Sequence, residues 1–166
     1  MLQSLLPSSF VLGLAALGAL HLAMNRRSPP GSVAERIAAA RVLTIAIGVQ
    51  SLHFIEEAAT GFHERIPALF GLPAMPVSFF LVFNLAWLVI WVASVPGLRS
   101  ARTPAFFAAW FLAIAGMFNG IAHPLLAVAA GGYIPGLVSS PFIAGMSVWL
   151  WLRLHGATQP GVAPAG

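Results

Sequence analysis

Five long runs of apolar residues, separated by short polar or glycine- and proline-rich breaks, dominate the hydrophobic pattern of the chain. Each run is long enough for a helix that crosses a hydrocarbon layer of about 30 Å, which takes about 20 residues. The pattern predicts an all-α fold, a polytopic membrane bundle of about five transmembrane helices. The predicted spans are residues 5–24, 37–59, 76–95, 105–130 and 135–154.

Local signals mark several helix ends within this pattern. Ser32-Val-Ala-Glu35 has the spacing of a capping box and predicts that the second span begins near residue 33. Thr103-Pro104 offers a cap and a first-turn proline for the fourth. Residues 60–75 hold two prolines among apolar residues, which predicts a segment that lies in the membrane interface or folds back as a lid.

The breaks leave no long soluble insertion, so we expect one transmembrane domain over residues 1–155. Residues 156–166 consist largely of glycine, alanine and proline, and this composition predicts a disordered tail.

Composition supports the membrane assignment, because 59% of the residues are hydrophobic and only 7% are charged. In a soluble domain about a quarter of all residues are charged. With five spans, Arg65 lies on one side of the membrane and the other seven basic residues lie on the opposite side. By the positive-inside rule the N-terminus is outside and the C-terminus inside, in a multi-pass protein of the cell membrane. The seven are Arg26, Arg27, Arg36, Arg41, Arg99, Arg102 and Arg153.

These arginines lie at helix ends rather than in a binding patch, so nucleic acid is not expected as a partner. The chain has no cysteine, which excludes disulfides, thiolate zinc sites and cysteine catalysis. It also lacks the soluble zincin motif, a serine nucleophile elbow and a glycine-rich phosphate loop.

A polar face interrupts the second apolar run. At 100° per residue, Glu56 and Glu57 lie about 60° to one side and about 40° to the other side of His53, and Gln50 extends this face. Ionisable side chains inside a bilayer are costly and by default indicate a functional site facing a bundle interior or a wet cavity. The alternative is that both glutamates lie past the helix end, among the headgroups.

Asn119 and His123, four residues apart, form a second polar face on the fourth run. The second and fourth spans run in the same direction through the membrane. His53 lies roughly 18 to 26 Å beyond Arg36 or Arg41, and the Asn119–His123 pair lies roughly 24 to 30 Å beyond Thr103. The two faces therefore overlap in depth, in the outer half of the bilayer.

This constellation predicts a divalent metal site, because two adjacent glutamates would repel each other in a low-dielectric site without a cation. Two imidazoles and a carboxylate leave coordination positions open, as in zinc hydrolases and non-haem iron sites. We predict His53, His123 and Glu57 as ligands and Glu56 as general base, although the two glutamates can be exchanged. Asn119 would orient a ligand or polarise a carbonyl. Zinc is preferred, and iron or manganese is possible.

Three motifs together resemble the HXXEE-domain family of small integral membrane proteins, and the resemblance covers most of the chain. The family resemblance implies a metal-dependent membrane enzyme rather than a particular reaction. The motifs are His53-x-x-Glu56-Glu57, Asn119-x-x-x-His123 and Tyr133-Ile-Pro-Gly.

The polar residues are also similar to the paired glutamates, histidines and asparagine of the CAAX-protease superfamily. In that superfamily an arginine normally follows the second glutamate by four residues, whereas this chain has Gly61 there. With this departure, the similarity by itself does not establish proteolysis.

The leading functional prediction is hydrolysis of a lipid or other membrane-embedded small molecule, with membrane lipids as surroundings. A proton- or ion-coupled transporter using the same residues is the main alternative, and a structural metal site is the third. The sequence leaves open the oligomeric state and three roles. His63 is a ligand or a solvated side chain, Asn84 a site residue or interhelical glue, and Tyr133 most simply an interfacial anchor.

Overall fold

The computed structural model describes residues 2–161, and side-chain surroundings from residue 9 onwards. Within this part the chain is all-α, with six helices and one pair of two-residue strands that join residues 26–27 to residues 159–160. The helices are α1 (Leu2–Asn25), α2 (Val33–Ala59), α3 (Phe62–Leu69), α4 (Val77–Arg99), α5 (Thr103–Ala130) and α6 (Ser140–Ala157).

Three of these helices, α2, α4 and α5, are long and apolar enough to cross a membrane. They correspond to the predicted spans 37–59, 76–95 and 105–130. The predicted all-α fold is therefore confirmed, as is the presence of helices suited to a bilayer. Predicted span 5–24 lies inside α1, whose described part Ser9–Asn25 is also apolar but shorter.

Other predicted boundaries differ from the structure. The span predicted at 135–154 becomes helical only at Ser140, because Gly136 has φ +85°, outside the helical region. The interfacial segment at 60–75 contains the short helix α3. Ser32 precedes α2 as expected but makes no capping hydrogen bond, since its φ of −83° and ψ of 32° depart from the extended conformation of a typical N-cap.

The predicted disordered tail also needs correction in its first part. α6 continues to Ala157, and Gln159–Pro160 pairs antiparallel with Arg26–Arg27. The Arg26 guanidinium donates to the Thr158 hydroxyl (2.8 Å) and to two carbonyl groups at the end of α6. These contacts satisfy acceptors at a helix C-terminus and so order the segment. Residues 162–166 of the predicted tail lie outside the described residues.

Four helices pack in the ring α2, α6, α5, α4, and α1 packs against the outside of α5. In this ring α2 and α5 face each other across the bundle axis. Toward the end where α2 begins, the interior is filled by fully buried apolar side chains such as Leu43, Trp110 and Leu150. Toward the other end, the polar faces of α2 and α5 meet.

Two glycines of α5, Gly116 and Gly120, let α5 and α6 approach closely. A Cβ atom at Gly116 would collide with the Ser147 side chain, and one at Gly120 would collide with the Cβ atom of Ala144. The close packing fixes the rotation of α5, and with it the direction of Asn119 and His123.

Candidate metal centre

His53 and Glu57 of α2 and His123 of α5 form a buried cluster between the two facing helices. Glu57 Oε1 lies 3.4 Å from His53 Nε2 and 3.5 Å from His123 Nε2. One potential ligand atom from each residue lies within 4.8 Å of the other two. The imidazole rings meet edge to face, with centroids 5.0 Å apart.

The loop between α5 and α6, residues 131–139, fixes the tautomer of both histidines; we call it the capping loop. His123 Nδ1 lies 2.9 Å from the carbonyl oxygen of Pro135, which can only accept, so this nitrogen donates. His53 Nδ1 lies 2.7 Å from Ser139 Oγ. Because the single Ser139 hydroxyl proton is donated to Glu56, Ser139 Oγ accepts from His53 Nδ1–H. With the proton on Nδ1, each imidazole in its neutral form carries its lone pair on Nε2.

Three acceptors thus converge in a buried space, an arrangement that a bound cation stabilises. Two ligands held about 2.0 to 2.1 Å from a tetrahedral zinc ion are about 3.3 Å apart. The 3.4 and 3.5 Å separations around Glu57 Oε1 are close to this value. His53, Glu57 and His123 could therefore hold a metal ion.

Asn119 lies beside this cluster, one turn before His123 on α5. Its Nδ2 atom is 3.2 Å from His53 Nε2, so in the absence of a cation the amide donates to that nitrogen. His123 Nε2 lies 3.5 Å from the Glu57 carboxylate. The position allows Asn119 to contact a group bound next to the cluster.

Glu56 has a different environment from Glu57 and anchors the capping loop. Its two carboxylate oxygens accept from the Tyr133 hydroxyl (2.8 Å), the Val138 amide (3.1 Å), the Ser139 amide (2.8 Å) and the Ser139 hydroxyl. Partial burial raises the pKa of Tyr133, and the bond to Glu56 acts in the same direction, so the phenol stays protonated and donates. Glu56 reaches the cluster indirectly, through Ser139 and His53.

The capping loop is held at a second point by Arg65 of α3. Its guanidinium donates to the Tyr133 carbonyl (2.9 Å) and lies 5.7 Å from the centre of the Tyr133 ring. A cation over an aromatic face adds a further attraction. The loop that orients both imidazoles is therefore fastened to α2 by Glu56 and to α3 by Arg65.

A cavity of about 420 Å³ adjoins the cluster, and Glu57, Asn119 and His123 form part of its wall. Most of the remaining wall is apolar or aromatic, apart from a few polar side chains such as Gln50 and Asn84. Asn84 donates to the Phe80 carbonyl of its own helix, as an intrahelical bond. The cluster is therefore accessible from one side.

His63 and Tyr133 also lie outside the cluster. His63 has its Nε2 atom 3.5 Å from Glu64 and stacks on Phe80, and it is not part of the three-residue group. Tyr133 contacts the site through Glu56 rather than through the ligands. The sequence analysis missed the roles of Ser139 and the Pro135 carbonyl, for which the only signal is the Tyr133-Ile-Pro-Gly motif.

No protein-family model, curated protein or solved structure matches this chain. The resemblance to the HXXEE-domain family stays a prediction that depends on its three motifs.

Removing the Ser139 hydroxyl is expected to weaken metal binding. Ser139→Ala leaves His53 Nδ1 without its acceptor, and loss of such a partner of a ligating histidine typically lowers metal affinity by about tenfold or more. Ser139→Thr keeps the hydroxyl and should retain most of the affinity. Zinc competition titrations on both variants test this, and equal affinity in the alanine and threonine variants would contradict the relay through Ser139.

Proposed function

We propose that the protein is a metal-dependent integral membrane enzyme with about five membrane helices, its N-terminus outside and its C-terminus inside. The three long apolar helices support the membrane setting, as do large apolar side chains exposed on outer faces, such as Val82, Val89 and Val128. α1 and α6 would supply the other two spans.

Contacts among the basic residues support this orientation. Arg36 donates to the Arg99 carbonyl and to Ser28, and Arg26 donates to the end of α6. Three arginines therefore gather at one end of the bundle, whereas Arg65 lies with the capping loop near the metal cluster. The arginine-rich end faces the cytoplasm by the positive-inside rule, and the cluster lies in the outer half of the bilayer.

The observation that carries the enzymatic proposal is the convergence of two imidazole Nε2 atoms on one carboxylate oxygen beside a cavity. Three protein ligands leave positions for water and substrate, as in catalytic rather than structural zinc sites. The reaction we propose is hydrolysis of an ester, amide or similar bond in a membrane-embedded molecule. Water adds to the carbonyl carbon, the bond to the leaving group breaks, and the leaving group receives a proton.

The environments of the two glutamates support distinct roles. Four donors hold Glu56 as an anion, and a proton on it would have to displace at least one of them, which favours a positioning role over the general base suggested by the sequence. Glu57 contacts both histidines and borders the cavity. We assign ligation to Glu57 Oε1 and proton acceptance to its other oxygen. We assign to Asn119, which borders the cavity beside the cluster, the polarisation of the substrate carbonyl.

Metal content tests the proposal directly. Elemental analysis of protein purified in detergent should find near-stoichiometric zinc, iron or manganese in the wild type, and almost none in His53→Ala or His123→Ala. The matched control is His63→Ala, which removes a nearby histidine outside the cluster and should leave the metal in place. A wild type that binds no metal after loading with each ion would overturn the metalloenzyme and favour proton-linked transport.

The interior of the bundle weighs against the transport alternative. A carrier needs access to its site from both sides of the membrane. Between the metal cluster and the arginine-rich end, the axis is filled by Leu43, Trp110 and Leu150, all fully buried. The cavity is lined by residues of α1 and α4 as well as α5, so it runs beside this filled axis rather than along it.

A further inference from the structure

The cavity beside the metal cluster is elongated along α4 and α5. Its wall on α4 extends from Phe79 to Trp91, and its wall on α5 extends from Phe111 to Leu126. On α5, the distance from Asn119 back to Phe111 is about 12 Å at 1.5 Å per residue. The cavity therefore has a deep part that leads away from the cluster, toward the arginine-rich end of the bundle.

The chemistry of the wall changes along this length. The deep part is lined by aromatic and aliphatic side chains, among them Trp87, Trp91 and Phe111, with ring centroids of Trp87 and Phe111 4.2 Å apart. In the part of the cavity next to the cluster, polar atoms come from Glu57, Asn119 and His123. A ligand that matches both parts has a long apolar portion and one polar group.

The positions of α1 and α4 leave one side of the cavity less tightly closed. Both α1 and α4 pack on α5, but they are not closely packed against each other. Residues of both helices border the cavity, with Ser9 and Leu12 on the α1 side and Phe83 and Trp87 on the α4 side. The gap between α1 and α4 therefore opens sideways, toward the lipid when the bundle lies in a bilayer.

We propose that this cavity binds one hydrocarbon chain of a membrane amphiphile, which enters between α1 and α4 and places its polar linkage beside Glu57, Asn119 and His123. The proposal rests on the proposed function and specifies its substrate class. The substrate is an amphiphile in which a single hydrocarbon chain is attached through a hydrolysable polar group. Lateral entry allows the substrate to leave the bilayer without passing its chain through water, which the hydrophobic effect opposes.

Ala115 provides the sharpest test, because it is a buried cavity residue on α5, one turn deeper than Asn119. Ala115→Phe fills the deep part while leaving the ligands in place. The control is Ile121→Phe on the same helix, whose side chain is 60% exposed and does not border the cavity. If the phenylalanine at position 115 prevents folding, Ala115→Leu makes the same test with a smaller side chain.

The probe is a long-chain fatty acid with a photoreactive diazirine at its chain end, added to lipid nanodiscs that hold the protein. In the wild type and in Ile121→Phe, mass spectrometry should find crosslinks on the peptides that contain Trp91 and Phe111. In Ala115→Phe these crosslinks should fall about tenfold, as expected when about two methylene groups lose their buried site. Equal crosslinking in all variants, or labels spread evenly over lipid-facing positions, would overturn the chain site.

Crosslinking and metal content separate this inference from the proposed function. The crosslinking is measured with and without loaded metal, and the metal content of Ala115→Phe should equal that of the wild type. Metal binding without localised crosslinks would refute the chain site alone. Localised crosslinks on a protein that binds no metal would leave the chain site standing and refute the enzyme.

Discussion

Replacing Gly136 with alanine is expected to abolish high-affinity metal binding, although the residue offers no ligand. A Cβ atom at this position would lie 2.5 Å from His123 Cε1, 2.8 Å from His123 Nδ1 and 3.0 Å from His53 Cε1. Both imidazoles would have to move, or the capping loop would have to lift from them. Because ligand orientation controls metal affinity, we expect a loss of about 100-fold.

The control for this experiment is Gly131→Ala. Gly131 also has a positive φ, +69° against +85° for Gly136, but a Cβ atom there would meet nothing within 4 Å. Both substitutions carry the backbone strain of a left-handed alanine, about 1 to 2 kcal/mol, and only Gly136→Ala adds the collision. Zinc affinity is compared by competition with a chelator. Equal losses in the two variants would mean that backbone strain, not imidazole displacement, controls the site.

Replacing Glu56 with glutamine is expected to destabilise the protein and to change the tautomer of His53. In glutamine one carboxylate oxygen is replaced by an NH2 group, which cannot accept from the donors that now bind that oxygen. Losing hydrogen bonds to a charged group in this way costs about 2 to 3 kcal/mol. Without the Glu56 carboxylate as its acceptor, the Ser139 hydroxyl can donate to His53 Nδ1 instead. The His53 proton then lies on Nε2 and blocks ligation, so metal affinity should fall by about tenfold or more.

Nitrogen NMR of the imidazoles and thermal unfolding in detergent measure these two effects. The matched variant is Glu57→Gln, which removes the same charge one residue away. It should lose the metal completely, yet its metal-free melting temperature should equal or exceed that of the wild type, because the new amide can donate to the Nε2 atoms. If Glu56→Gln keeps His53 protonated on Nδ1 and melts like the wild type, the capping loop does not depend on Glu56.

For the candidate site, helical periodicity predicted which residues share a helix face. The spacing of His53 with Glu57, and of Asn119 with His123, placed each pair on one helix face, and the depth argument put the two faces at the same level. Periodicity did not separate the glutamates. Neighbouring residues on a helix point 100° apart, so the rotation of α2 decides which one faces the bundle axis, and packing against α4 and α6 sets that rotation.

The order of apolar and polar residues was enough to predict the all-α fold, the apolar helices suited to a bilayer and the two polar faces, because these depend on residues close together in the chain. The tertiary structure decided that the capping loop orients both imidazoles through Pro135 and Ser139, and that a cavity lies between α1 and α4. Both features join segments distant in sequence. A hydrogen bond between Glu56 and Ser139 spans 83 residues, and no local pattern specifies such a partner, since it depends on how complete helices pack.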